Sequence, residues 1–363
     1  MGMDFGLFYE IMIPKPWGPR TEYEAFQQVI AQVIQAEASG FSHFWTVEHH
    51  FLTEMSHCSA PEVLYGAISQ RTKKIRIGHG VRLLPFPYNH PVRAAEMAAT
   101  LDLLCDGRLE FGTGRSASLR EIEGFGIDIT QTRPMWEEAL EVVVGAWTNE
   151  TFSWDGKYFK VPPRTVVPKP LQKPHPPIWC AASGPESHEI AGRKGLGVLS
   201  LTLLIELEEV ARRIAMYKAA VKEAKPVGKF INNQAAAYTL VYCAETDEQA
   251  RREAAKSMEW YIDYSSQIAS EFARKIAPGG DAGGYDYYKQ TGNLSTKKLT
   301  FDYLSGEDLV ICGSPDTCVR KIKRYQAMGI EQLLCICQLY SIPHQQVMNS
   351  IKLFGEQVIP HFR

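Results

Sequence analysis

A carboxylate and two adjacent imidazoles, Glu48, His49 and His50 in the stretch HFWTVEHHFL, are the residues of this chain best suited to moving protons or holding a metal. Histidine changes charge near neutral pH, with an unperturbed pKa of about 6.5, so it serves as acid, base or ligand. Two further stretches are placed to meet an anion. RLEFGTGRSASLRE sets Arg115 just after Gly112 and Gly114, where absent side chains let a ligand approach the backbone. IWCAASGPESHEIAG leads through Ser183, Gly184 and Pro185 into a helix starting near Glu186. Free N–H groups at a helix start, with a serine hydroxyl alongside, make a phosphate cradle. The same residues read equally well as an ordinary serine cap with proline in the first turn. Adjacent histidines on extended backbone diverge, and the H-E-x-x-H spacing is absent, so no metal is expected. Two structural histidines bonded to loop backbone are the plainer alternative.

These residues need elements to position them. Short apolar runs alternate with longer helical patterns, the signature of βαβ units. Strands are expected at Met3–Tyr9, Phe44–Glu48, Ile75–Leu84, Leu109–Gly112, Pro177–Ala182, Gly197–Leu203, Ala235–Ala244 and Gln332–Gln338. Eight strands with intervening helices predict an α/β chain, a (β/α)8 TIM barrel forming a single domain over residues 1–363. No G-x-G-x-x-G follows the first strand, which disfavours a Rossmann sheet. In a barrel the carboxyl ends of the strands form the active face, and each stretch quoted above lies at such an end. Residues 150–177, with a D-G turn and a proline tract, are expected as a hairpin insertion before strand five. Residues 276–313 are Gly-rich and too long for an ordinary connection, and are expected to form a mobile active-site loop.

Composition excludes other classes. With 45% hydrophobic and 22% charged residues, the 363-residue chain can bury a sizeable core. A formal charge of −2 gives no electrostatic case for nucleic acid. No apolar run approaches the roughly 20 residues that span a bilayer, and no secretory signal pattern opens the chain, so a cytoplasmic protein is expected. Its eight cysteines form no C-x-x-C pair and are expected to be free thiols.

In combination, GFSHFWTVEHHF, VRLLPFPYNHPVRAAEMAATLDLLCDGRLEFGTGRS, AASGPESHEIAGRKG, GYDYYKQ and GSPDTCVRKI resemble the bacterial luciferase-like, flavin-dependent monooxygenases over nearly the whole chain. The resemblance implies reduced FMN, delivered by a separate flavin reductase, with the phosphate meeting Arg115, Ser183 and the turn of Gly184, Glu186 and Ser187. It matches His49 to the catalytic histidine, His50 to its neighbour, and Gly80-Val81 to a non-prolyl cis peptide beside the flavin. Oxygen would add to reduced flavin, giving a peroxide that oxygenates a small, largely apolar substrate. Trp260, Tyr285, Tyr287 and Lys289 would meet flavin or substrate from the lid side, and a homodimer is expected. Two departures stand out: Gly114 replaces a reactive cysteine, and Ala182 replaces an acidic residue of the phosphate turn. Two other functions share this frame, hydride transfer with a deazaflavin and a non-catalytic flavin-binding subunit.

Overall fold

A computed structural model describes residues 2–275, 285 and 299–363, except the side chain of residue 273. Eight parallel strands close into a barrel: β1 (Asp4–Tyr9), β2 (His43–Thr46), β3 (Arg76–His79), β4 (Leu109–Gly114), β5 (Ile178–Ala182), β6 (Gly197–Leu201), β7 (Ala235–Cys243) and β8 (Gln332–Ile336). β1 closes the ring, pairing Gly6 with His43 of β2 and with Leu334 of β8. Helices surround it. The first, Thr21–Ala38, shows why: Val29, Gln32, Val33 and Ala36 recur at helical spacing and are buried, and Gly40 follows with a φ of +92°.

The barrel interior is filled at β2 and β5 by Trp45 and Trp179, both fully buried, with their rings edge to face and centroids 5.5 Å apart. Glycines make room for them. A Cβ on Gly78 would lie 2.2 Å from the Trp45 ring, and one on Gly197 would lie 2.5 Å from that of Trp179. Trp45→Ala is therefore expected to cost about 3–5 kcal/mol of stability in chemical denaturation, because no neighbour can fill the void.

Several strands end one or two residues away from expectation, and two of the differences shape the site. β2 stops at Thr46, so Glu48, His49 and His50 sit on irregular chain rather than on the strand. The expected strand 75–84 is divided by a cis Gly80–Val81 bond. Beyond it a short strand, Arg82–Leu83, pairs with Thr113 and Gly114. Between β4 and β5, Phe152–Asp155 and Lys160–Arg164 form an antiparallel hairpin. Within 276–313, the described stretch from 299 is not all loop: it holds a helix, Phe301–Gly306, and a strand, Ile311–Gly313, beside β7. Tyr287 and Lys289 lie outside the described residues. All eight cysteines are free and buried. No helix among the described residues is long and apolar enough to cross a membrane.

Candidate active site

The strand ends open into a cleft of two joined lobes. The first, about 1080 Å³ with its mouth included, is bounded by Phe8, Gly80, Val81, Gly114, Arg115 and Ser183 among others. The second, about 760 Å³, is walled by Leu52, Met55, Leu203, Leu204, Ile268 and Ala269. Glu10, His49 and Tyr238 border both lobes.

His49 is held at this junction by carboxylates. Its Nδ1–H donates to Glu121 Oε1 at 2.8 Å, and its Nε2 lies 3.6 Å from Glu10 Oε2. Glu121 is fully buried in the helix Leu119–Gly124, where it also accepts from the His50 backbone N–H at 2.7 Å and from the Ser116 hydroxyl. Ser116 has a φ of +82°, a conformation disfavoured for a residue with a side chain, and its Oγ accepts from the Ser118 N–H at 3.0 Å. Burial works against charge on His49, but Glu121, Glu10 and Glu48 outweigh it and raise the pKa to about 9. Burial likewise opposes ionisation of Glu121, yet the His49 charge and hydrogen bonds leave its pKa lowered. At neutral pH the ring is thus an imidazolium, whereas an ordinary histidine would be mostly neutral.

The first lobe has a cationic end and a wall where glycines meet bulky side chains. Arg115 lies with its guanidinium 4.5 Å above the Tyr285 ring and its Nη1 3.2 Å from Thr132 Oγ1. Arg133 lines the same lobe, and its Nη1 and Nη2 donate to the two carboxylate oxygens of Glu186. Ser183 and Ser187 line it too, and Gly184 caps the helix Pro185–Arg193, whose first turn opens there. The wall is formed where Gly80 and Gly114 face bulky neighbours. A Cβ on Gly114 would lie 2.5 Å from Val81 Cγ2, and one on Gly80 would lie 2.7 Å from Phe8 Cε2. Phe8 itself stacks on Tyr238, centroids 4.8 Å apart.

Of the residues singled out in the sequence, Glu48, His49, Gly80, Val81, Gly114, Arg115, Ala182, Ser183, Ser187 and Tyr285 line the first lobe. Others do not reach the cleft. His50 turns away, its ring 4.8 Å from Phe125 and 6.2 Å from Tyr88. Glu186 is engaged by Arg133 on the surface. Trp260 stacks on Tyr340 at 3.8 Å, while the next residue, Tyr261, lines the apolar lobe, because one residue turns a helix by about 100°. Glu48 does not orient His49 by a hydrogen bond. It accepts from the Leu83 N–H at 3.0 Å and from Asn89 at 2.9 Å, pinning the chain after the cis bond. Glu10, Glu121, Arg133 and Tyr261 were not singled out. Glu10 directly follows β1, so the strand-end rule could have found it. Among the described residues, no three His, Cys, Asp or Glu side chains converge as metal ligands.

The family model for luciferase-like monooxygenases matches residues 3–332. The chain belongs to that family. Limonene 1,2-monooxygenase of Rhodococcus erythropolis is 28% identical to it over 99% of this chain and 87% of its own length. The oxygenase component of the flavin-dependent trigonelline monooxygenase of Acinetobacter baylyi is 28% identical, covering 91% of this chain and 88% of its own. The oxygenating constituent of 3,6-diketocamphane monooxygenase from Pseudomonas putida, a type II Baeyer-Villiger enzyme solved with FMN, shares the fold. Its TM-score is 0.78 at 22% identity, covering 100% of this chain and 99% of that one.

Proposed function

We propose that this luciferase-like monooxygenase is the oxygenase of a two-component system. It takes reduced FMN from a separate reductase and inserts one atom of dioxygen into a small, largely apolar organic molecule, as a cytoplasmic homodimer. One observation carries the proposal: a cation-ended lobe adjoins a largely apolar lobe, with His49 lining both.

FMN fits the residues present. Gly80 and Gly114 let Phe8 and Val81 pack closely against the backbone at the wall of the lobe, where a side chain at either position would displace them from a bound ring. Arg115, Arg133, Ser183, Ser187 and the helix start at Pro185 would hold the phosphate. Bound reduced flavin supplies the electrons that activate dioxygen. Because one oxygen atom goes to substrate and the other leaves as water, protons must be delivered beside the ring. His49 is the group placed for this. Glu121 occupies its Nδ1–H, which leaves the Nε2 proton at the junction available for transfer. Trp136, Leu199 and Leu201 add apolar surface to the same lobe.

The test combines purified protein, an FMN reductase, NADH and candidate apolar substrates under labelled dioxygen. One labelled oxygen atom in the product is expected. Turnover without dioxygen, with a deazaflavin as hydride donor, would instead make the chain a hydride-transfer enzyme.

A further inference from the structure

One buried carboxyl group at the junction keeps an oxygen that nothing in the mechanism above uses. Glu10 is the first residue after β1, is 4% exposed, and borders both lobes. Its backbone is fixed by the Ser56 hydroxyl, which donates to the Glu10 carbonyl at 2.6 Å. Its Oε1 accepts from the Tyr261 hydroxyl at 3.2 Å. Its Oε2 has no hydrogen-bond partner, and His49 Nε2, at 3.6 Å, is too far to be one. Native proteins rarely leave a buried carboxylate oxygen unsatisfied, because the cost of desolvation is then uncompensated. A second orphan lies nearby: Ser118 Oγ is buried without a partner, and Ser118 lines the apolar lobe.

Besides His49, Tyr238, Tyr261 and Ser265, the lobe is walled by hydrocarbon from Leu52, Met55, Leu203, Leu204 and Ile268. A molecule filling it gains by burying apolar surface and meets an unsatisfied acceptor where the lobes join. Charge narrows the choice further. At the junction Glu10 and Glu121 flank the one imidazole of His49, so a headgroup placed there meets two carboxyl groups and an anionic one is disfavoured.

We propose that Glu10 determines substrate class: its unpartnered carboxylate oxygen receives an O–H or N–H of an otherwise apolar, neutral or cationic substrate, next to the atom to be oxygenated. The proposal rests on the monooxygenase function assigned above, and its test separates the two. Three fluorescent probes of one shape are titrated at mildly alkaline pH: naphthylmethanol, methylnaphthalene and naphthoate. The titrations use both the FMN-loaded and the flavin-free protein, and FMN binding is measured independently by flavin fluorescence.

Naphthylmethanol is expected to bind about tenfold or more tightly than methylnaphthalene, as a hydrogen bond to a charged group supplies; naphthoate is expected to bind weakest. Glu10→Leu should bring the first ratio to about one without weakening methylnaphthalene. Glu10→Gln, which keeps the shape and the Tyr261 contact, should relax the exclusion of naphthoate. A merely structural role for Glu10 would weaken all three probes together and leave their ratios unchanged. Equal affinities in the parent protein, an unchanged ratio in Glu10→Leu, or tightest binding of naphthoate would overturn the proposal. Should Glu10→Leu not fold, Glu10→Gln decides on the naphthoate ratio alone. Failure to bind FMN with the probe preference intact would reject the flavin assignment and leave this one standing.

Discussion

His49→Ala is expected to lower substrate-dependent oxygenation about 10²–10⁴-fold, the range for loss of a positioned proton donor, with FMN affinity nearly unchanged. The expectation follows from where His49 sits. It borders both lobes, and its Nδ1–H is bound to a fully buried carboxylate that fixes the ring and holds its charge. Burial resists that charge, but Glu121 and Glu10 raise the pKa to about 9. A proton donor works while protonated, so the oxygenation rate should hold through neutral pH and fall as pH rises through about 9. Glu121→Gln keeps the shape but removes a charge, so the fall should move to lower pH. Stability follows the same sign. The folded pKa lies above the unfolded value of about 6.5, so this ion pair contributes fully below that value and is lost as pH rises through the folded one. Equal pH profiles for the parent enzyme and Glu121→Gln, or full turnover by His49→Ala, would remove His49 from the mechanism.

Replacing Arg115 and Arg133 together by alanine should weaken FMN binding about 10²-fold or more, each charged hydrogen-bonding group being worth roughly 1.5–3 kcal/mol. Riboflavin, which lacks the phosphate, should bind parent and double variant alike. That contrast is the informative one, because Arg115 also packs on Tyr285 and Arg133 also holds Glu186. A general collapse of the lobe would weaken both flavins equally. Titration of each flavin by fluorescence quenching reads the difference directly.

The barrel was legible in the sequence because parallel strands buried on both faces read as apolar runs, and all eight runs hold a strand. Their ends were less legible. Whether β2 continues past Thr46 depends on Glu48, which turns aside to meet Leu83 and Asn89, 35 and 41 residues further on. The break in the third run follows the Gly80–Val81 bond, which only the family resemblance pointed to. Within the site, the glycines, Arg115, Ser183 and His49 lie at strand ends and could be found there. Of the groups that set the charge of His49, Glu10 lies at a strand end, but Glu121, 72 residues from His49 in sequence, could not be found by local spacing. Arg133 comes from the first turn of the helix Thr132–Thr148 rather than from a strand end. Trp260 and Tyr261 show a finer limit. The helix Asp247–Lys275 was recognisable, but its rotation about its own axis is set by what it packs against.

The structure of the FMN complex tests the central claim most directly. The phosphate is expected within hydrogen-bond reach of Arg115, Ser183 and the start of the helix Pro185–Arg193, with the ring against Gly80 and Gly114 and its reactive face toward His49. An FMN bound outside this cleft, or lying in it with its phosphate in the apolar lobe, would contradict the account.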